Sequence, residues 1–236
     1  MNILAIDTTS TVMTVAVVKD ERLRGEITTH HKKNHSIRLM PAIRMLFEEA
    51  DMKSEEIDRI VVSEGPGSYT GVRIGVTTAK TMAWSLGVPL VGVSSMEMLA
   101  QNGRYFNGLI SPFYDARRGQ VFTGLYRAAN GIVEQVEKDQ LIMHEEWLTK
   151  LKDYDEPVLF FSPDIEKHEE LIREQLASAV IAQPINQQSH AAALAAIGAT
   201  REPVTDIHAF TPTYLRIAEA EANWLKRQQQ EQADGK

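Results

Sequence analysis

Ser63-Glu64-Gly65-Pro66-Gly67-Ser68-Tyr69-Thr70-Gly71-Val72-Arg73-Ile74-Gly75 joins an apolar run, Ile60-Val61-Val62, to a helix-patterned segment that ends near Leu86. Glycines in such a turn permit positive φ, and the unpaired N–H groups of a helix start can hold an anion. The same residues carry two readings. One is a phosphate cradle with Gly67, Ser68 and Thr70 as contacts. The other is a tight strand-to-helix turn capped by Ser68 or Thr70. No Lys-Ser/Thr pair follows as a P-loop requires, and Pro66 removes one donor, so the capped turn is favoured.

Upstream of this stretch, residues 3–7, 12–19 and 22–29 read as strands joined by tight turns, and 35–50 as a helix. Downstream, 70–86 reads as a long helix, 90–93 as a buried strand and 96–102 as a short helix. The pattern then restarts. Residues 108–113, 119–126 and 132–141 read as strands, a short helix begins at 145–148, and 158–161 is a buried strand. A helix over 165–176, a strand at 179–181 and an alanine-rich helix over 189–199 complete the second half. Three strands, then helix, strand, helix, strand is the core order of one lobe of the actin-hexokinase-chaperone fold. The expected architecture is therefore α/β and actin-like, with two lobes of similar topology, each a mixed sheet flanked by helices. Expected boundaries are 1–103 for the first lobe, 104–212 for the second, 213–227 for a C-terminal helix and 228–236 for a frayed polar tail.

Composition narrows the function classes. The chain of 236 residues has no cysteine, which removes disulfides, thiolate zinc sites and cysteine nucleophiles. Its formal net charge of −7 disfavours a free-standing nucleic-acid binder. No apolar run approaches the length of a membrane span, and the N-terminus lacks a leader pattern, so a cytoplasmic protein without membrane contact is expected. No cofactor is indicated.

The candidate chemical residues are few. Asp7 and Thr8 close the first strand. They read either as groups facing nucleotide phosphates or as the short polar residues that a hairpin turn needs. His31 and His35, and separately His144 and His168, lack metal-ligand spacing and read as solvated or structural; no metal site is expected. The helix over 35–50 carries two apolar stripes where one would dock it. Leu39, Ile43, Leu46 and Ala50 form one; Ile37, Met40, Arg44 and Phe47 form the other. In the following helix Gly71, Gly75, Thr78 and Met82 form a ridge of mostly small residues that lets another helix approach. A partner surface of Ile37, Met40, Arg44, Phe47, Ile74, Thr78 and Met82 is expected on these two helices.

Ile6-Asp7-Thr8-Thr9, Asn34-His35-Ser36, the 65–75 stretch and Val93-Ser94-Ser95 together resemble signatures of the TsaB (YeaZ) family. Asp115-Ala116-Arg117-Arg118-Gly119-Gln120-Val121-Phe122 and Pro212-Thr213-Tyr214-Leu215-Arg216 extend the likeness through the second half. The resemblance implies a non-catalytic dimerization subunit that pairs with the catalytic relative TsaD, works with the ATPase TsaE, forms homodimers when alone and meets tRNA only through the complex. TsaD carries His-Met-Glu-Gly-His after the equivalent of Val88-Pro89-Leu90-Val91-Gly92-Val93, and those histidines hold its metal. Here Ser95 stands at the first histidine, and Met98 or Leu99 at the second; none of these is a good ligand for such a cation. Asp115, Arg117 and Arg118 are expected to serve the complex or the interlobe region. The alternative is an enzyme of the same fold, peptidase-like or ATP-dependent, with Asp7 and the glycine turn as its only support.

Overall fold

A computed structural model describes residues 1–31 and 34–216. The first sheet is built from β1 (Asn2–Asp7), β2 (Val12–Lys19), β3 (Arg22–His30), β4 (Arg59–Gly65) and β5 (Leu90–Ser94), in the order β3-β2-β1-β4-β5. The first three pair antiparallel, whereas β4 and β5 join in parallel through helical crossovers. β1 reads Ile3-Leu4-Ala5-Ile6 and is buried on both sides, as a central strand must be. One sheet face is covered by α1 (His35–Glu49) and α2 (Tyr69–Leu86). There Leu39, Ile43 and Leu46 join Leu4, Ile6, Val15 and Val62 in one core.

The second sheet repeats this arrangement with β6 (Leu109–Asp115), β7 (Gln120–Ala129), β8 (Ile132–Met143), β9 (Val158–Phe161) and β10 (Ala179–Ile181). Its order, β8-β7-β6-β9-β10, is the order of the first sheet element for element. Its outer face is closed by α4 (His144–Leu151) and α5 (Glu169–Gln175), around Trp147, Leu148 and Phe160. The actin-like, two-lobed α/β architecture is thus present, with both lobes built on one topology.

Two expectations need correction. The helix expected over 165–176 is split: Ile165–Lys167 is a 3-10 turn, and α5 starts at Glu169. His168 lies between them at φ −125°, which turns its ring inward against His144 and ends helical hydrogen bonding there. The second lobe also does not run to residue 212. α6 (Ala191–Thr200) contains no charged residue and favours burial of its apolar surface. It finds that burial on the first sheet, where Ala191, Leu194 and Ala195 pack with Ile3, Ala5, Ala16 and Val61. Arg59 reaches across to hold the carbonyls of Gly198 and Ala199 at the end of α6 (2.7 and 3.2 Å). Conversely α3 (Ser95–Ala100) sends Met96, Leu99 and Ala100 into the core of the second lobe. Each lobe therefore lends its last helix to the interface between the lobes.

After α6 the chain stays on the first lobe. Val204 N–H donates to Leu90 O (2.8 Å), Lys80 Nζ holds the carbonyls of His208 and Phe210, and Thr213 N–H donates to Glu64 O (2.7 Å). Residues 213–216 are not helical, and 217–236 lie outside the described residues, as do the remainder of the expected C-terminal helix and the polar tail. Among the described residues no helix is long and apolar enough to cross a membrane.

Candidate functional site

The lobes face each other across a cleft of about 810 Å³, lined from four places. These are the β1–β2 turn (Thr9–Thr11), the first turns of α1 and α2, the β6–β7 turn with Asp164 and Lys167, and the segment 213–216.

The glycine turn sits at this cleft, but its glycines serve the chain itself. A Cβ on Gly71 would collide with the Thr8 carbonyl oxygen, and one on Gly67 with that of Thr9. Ser68 N–H donates to Thr9 O (2.7 Å), and Thr8 Oγ1 donates to Gly71 O (2.7 Å). The β1–β2 turn is thus seated on the start of α2 where a phosphate cradle would need open space. Ser68 caps α2 by accepting from Gly71 N–H (3.3 Å), as the capped-turn reading requires. Gly67, Ser68 and Thr70 border the cleft; Asp7 and Thr8, expected beside them, do not. Both are buried. Asp7 Oδ1 accepts from Thr9 N–H and Oγ1 (3.0 and 2.7 Å), and burial pushes its carboxyl above the usual aspartate value.

Asp115, Arg117 and Arg118 lie at the β6–β7 turn. Arg117 and Arg118 adopt positive φ (64° and 57°), and Asp115 Oδ1 steadies this turn by accepting from Arg117 N–H (2.8 Å). Asp115 Oδ2 also pairs with Lys167 (2.9 Å), which pairs in turn with Asp164 (2.8 Å). Those contacts hold Asp115 below its usual value despite partial burial. Behind Asp115, His144 and His168 share an Nδ1–Nδ1 hydrogen bond of 2.8 Å under the ring of Phe113. Burial drives His144 down to about 3 and lowers His168 as well, so both are neutral at pH 7. Both rings are thus held inside the second lobe by each other and by Phe113.

Ser95, Met98 and Leu99, expected to stand where TsaD has metal histidines, are fully buried. Ser95 Oγ donates to the Pro66 carbonyl, and Ser63 Oγ donates to Met98 Sδ (3.6 Å). Among the described residues no cluster of histidines and carboxylates could hold a metal ion.

On α1, Ile37, Met40 and Arg44 point to solvent, while Leu39, Ile43 and Leu46 face the sheet. Phe47 is half-buried against the core, because it follows Ile43 by four residues and shares its side of the helix. Met45 takes its place in the outward stripe, at the i, i+4, i+8 spacing of Ile37, Pro41 and Met45. On α2, Ile74, Thr78 and Met82 are half-buried, and Ile74 and Met82 pack against the core beneath both helices. Sequence reasoning also missed the stack at the mouth of the cleft. Tyr214 lies 5.2 Å from Tyr69, and the Arg73 guanidinium lies 4.6 Å from the Tyr69 ring centre.

Two lobes of one strand order, each lending a helix to the other across a cleft, define an actin-like protein. A family model described as TsaD, tRNA N6-adenosine threonylcarbamoyltransferase, matches residues 19–224. The tRNA threonylcarbamoyladenosine biosynthesis protein TsaB of Bacillus subtilis is 48% identical, over 97% of this chain and 100% of that protein. TsaB of Escherichia coli is 32% identical, over 63% of this chain and 70% of that protein. YeaZ from Pseudomonas aeruginosa has the same fold, with a TM-score of 0.74 over 91% of this chain and 99% of that one, at 23% identity. The chain belongs to the TsaB (YeaZ) family, which is named for tRNA threonylcarbamoyladenosine biosynthesis.

Proposed function

We propose that this chain is a non-catalytic subunit in tRNA threonylcarbamoyladenosine formation, docking through α1 and α2 on the catalytic relative TsaD, with TsaE as a further partner. The observation that carries the reading is the outer face of α1, where Ile37, Met40 and Met45 are 68, 49 and 57% exposed. Large apolar side chains left in water on successive turns of one helix form a face that gains by being covered. A related lobe presents a related face, so the same surface serves a heterodimer with TsaD and a homodimer when TsaD is absent. Threonylcarbamoyl transfer falls to TsaD. Ser95, Met98, Leu99 and Asp7 are all buried, which supports that division of labour. The setting is the cytoplasm, where tRNA is modified.

Met40→Asp tests the reading. Burying such a side chain is worth about 1.5–3 kcal/mol, and an aspartate in its place adds a desolvation cost. Association should weaken by two or more orders of magnitude, with circular dichroism unchanged because Leu39, Ile43 and Leu46 still hold α1 to the sheet. Sedimentation of the variant, alone and with TsaD, measures this. A folded variant that pairs like wild type moves the interface elsewhere.

A further inference from the structure

We infer that the mouth of the interlobe cleft is a direct RNA contact, with a base stacking on the Tyr214–Tyr69–Arg73 ladder and phosphates met by Arg117 from the facing lobe. The inference rests on the proposed role in a tRNA-modifying complex and adds that this subunit touches the tRNA itself.

Three observations converge on the mouth. The first is the ladder: the Tyr214 and Tyr69 rings lie 5.2 Å apart at a tilt of 33°, the Arg73 guanidinium lies 4.6 Å from the Tyr69 ring centre, and both tyrosines remain 43% exposed. Aromatic rings kept in water and backed by arginine are platforms on which bases of any identity stack. The second is charge. On a chain of net charge −7, the cleft is lined by three lysine or arginine side chains (Arg117, Lys167 and Arg216) and two histidines against two carboxylates. Both acids, Asp115 and Asp164, are paired with Lys167, and Arg216 is held by the Ala116 carbonyl and Gln120 Oε1. Arg117 is exposed on the rim, and no described residue takes its guanidinium.

The third is the glycine turn: the backbone of Thr8 and Thr9 packs against Gly71 and Gly67, so these glycines offer a phosphate no open cradle. What is left is a wide mouth with a stacking ladder on one lip and a cation on the other. That arrangement suits an exposed nucleotide of a longer chain better than a small molecule enclosed on all sides.

The test uses the full chain assembled with TsaD and an unmodified tRNA transcript, with affinity read by fluorescence anisotropy across a series of KCl concentrations. Tyr214 and Arg117 lie off α1 and α2, so their variants should assemble as wild type does. Tyr214→Leu, which keeps apolar bulk on Tyr69, should weaken tRNA binding about 5- to 100-fold. Tyr214→Phe should bind like wild type. Arg117→Ala should weaken binding and lower the slope of log K against log salt by about one. An intact complex in which both Tyr214→Leu and Arg117→Ala bind tRNA with wild-type affinity and salt slope overturns the inference. Failure of the wild-type chain to assemble with TsaD instead overturns the proposed function, and the inference falls with it.

Discussion

His144 and His168 show what single residues contribute beneath a functional surface. Each is buried, neutral and bonded to the other; Nε2 of His144 has no hydrogen-bond partner, and Nε2 of His168 faces Asp115 Oδ1 at 3.5 Å. Charging either one costs stability. The unfolded chain takes up a proton on His144 near 6.5, whereas the folded chain resists until about 3. The folded form therefore binds fewer protons below 6.5, and the stability due to this group, present at neutral pH, is lost as pH falls through that window. Urea denaturation should show wild type losing about 2 kcal/mol between pH 7.5 and 5 relative to His144→Gln, whose amide can still bond His168. Equal slopes would mean that His144 takes up its proton at the same pH in the folded and the unfolded chain. Comparing with the variant matters, because Asp7, Glu64 and Asp139 are raised by burial and act in the opposite direction.

Among the elements, α6 and α1 mark two ways a helix can meet its surroundings. α1 spends one stripe on the sheet and leaves the other in water, which makes it available to a partner. α6 has no polar stripe and is consumed inside the chain, clasped between the first sheet and α3. Its fit is close: a Cβ on Gly198 would overlap the side chain of Val61. Leu194→Ala should cost about 2–5 kcal/mol. Because Leu194 packs on the first sheet, native-state hydrogen exchange should rise chiefly in β1, β2 and β4 rather than in β6, β7 and β9. Faster exchange confined to the second sheet would return α6 to the second lobe.

For the whole molecule, the segment from Val204 to Arg216 works as a strap. It runs along the first lobe, passes Tyr214 over Tyr69, inserts Leu215 beside the core of the second lobe and ends with Arg216 on Ala116 O (2.7 Å) and Gln120 Oε1 (2.6 Å). Those last bonds cross the cleft and tie its two sides together. Removing them should cost about 1–3 kcal/mol, concentrated in the closed arrangement of the lobes. Paired spin labels on β3 and β8 should report a broader distance distribution in Arg216→Ala than in wild type, with secondary structure retained. An unchanged distribution would mean that these bonds do not set the lobe spacing.

Local sequence determined the elements and, with them, the fold class. Ile3-Leu4-Ala5-Ile6 can only be a strand buried on both faces, Ser68 before Tyr69–Leu86 announces a capped helix, and the strand-strand-strand-helix order appears twice. The second apolar stripe on α1 was legible for the same reason, since helical periodicity shows when one stripe is more than docking needs. Tertiary structure alone decided where long-range contacts fall. It put α6 on the opposite lobe, because an all-apolar helix carries no mark of which apolar surface it will meet. It turned Asp7 and Thr8 inward and used Gly67 and Gly71 for backbone contact, because a glycine needed for close approach reads the same whether the neighbour is a phosphate or the chain itself. It also brought Tyr214 onto Tyr69 across more than a hundred residues of chain, a contact that no spacing in the sequence encodes.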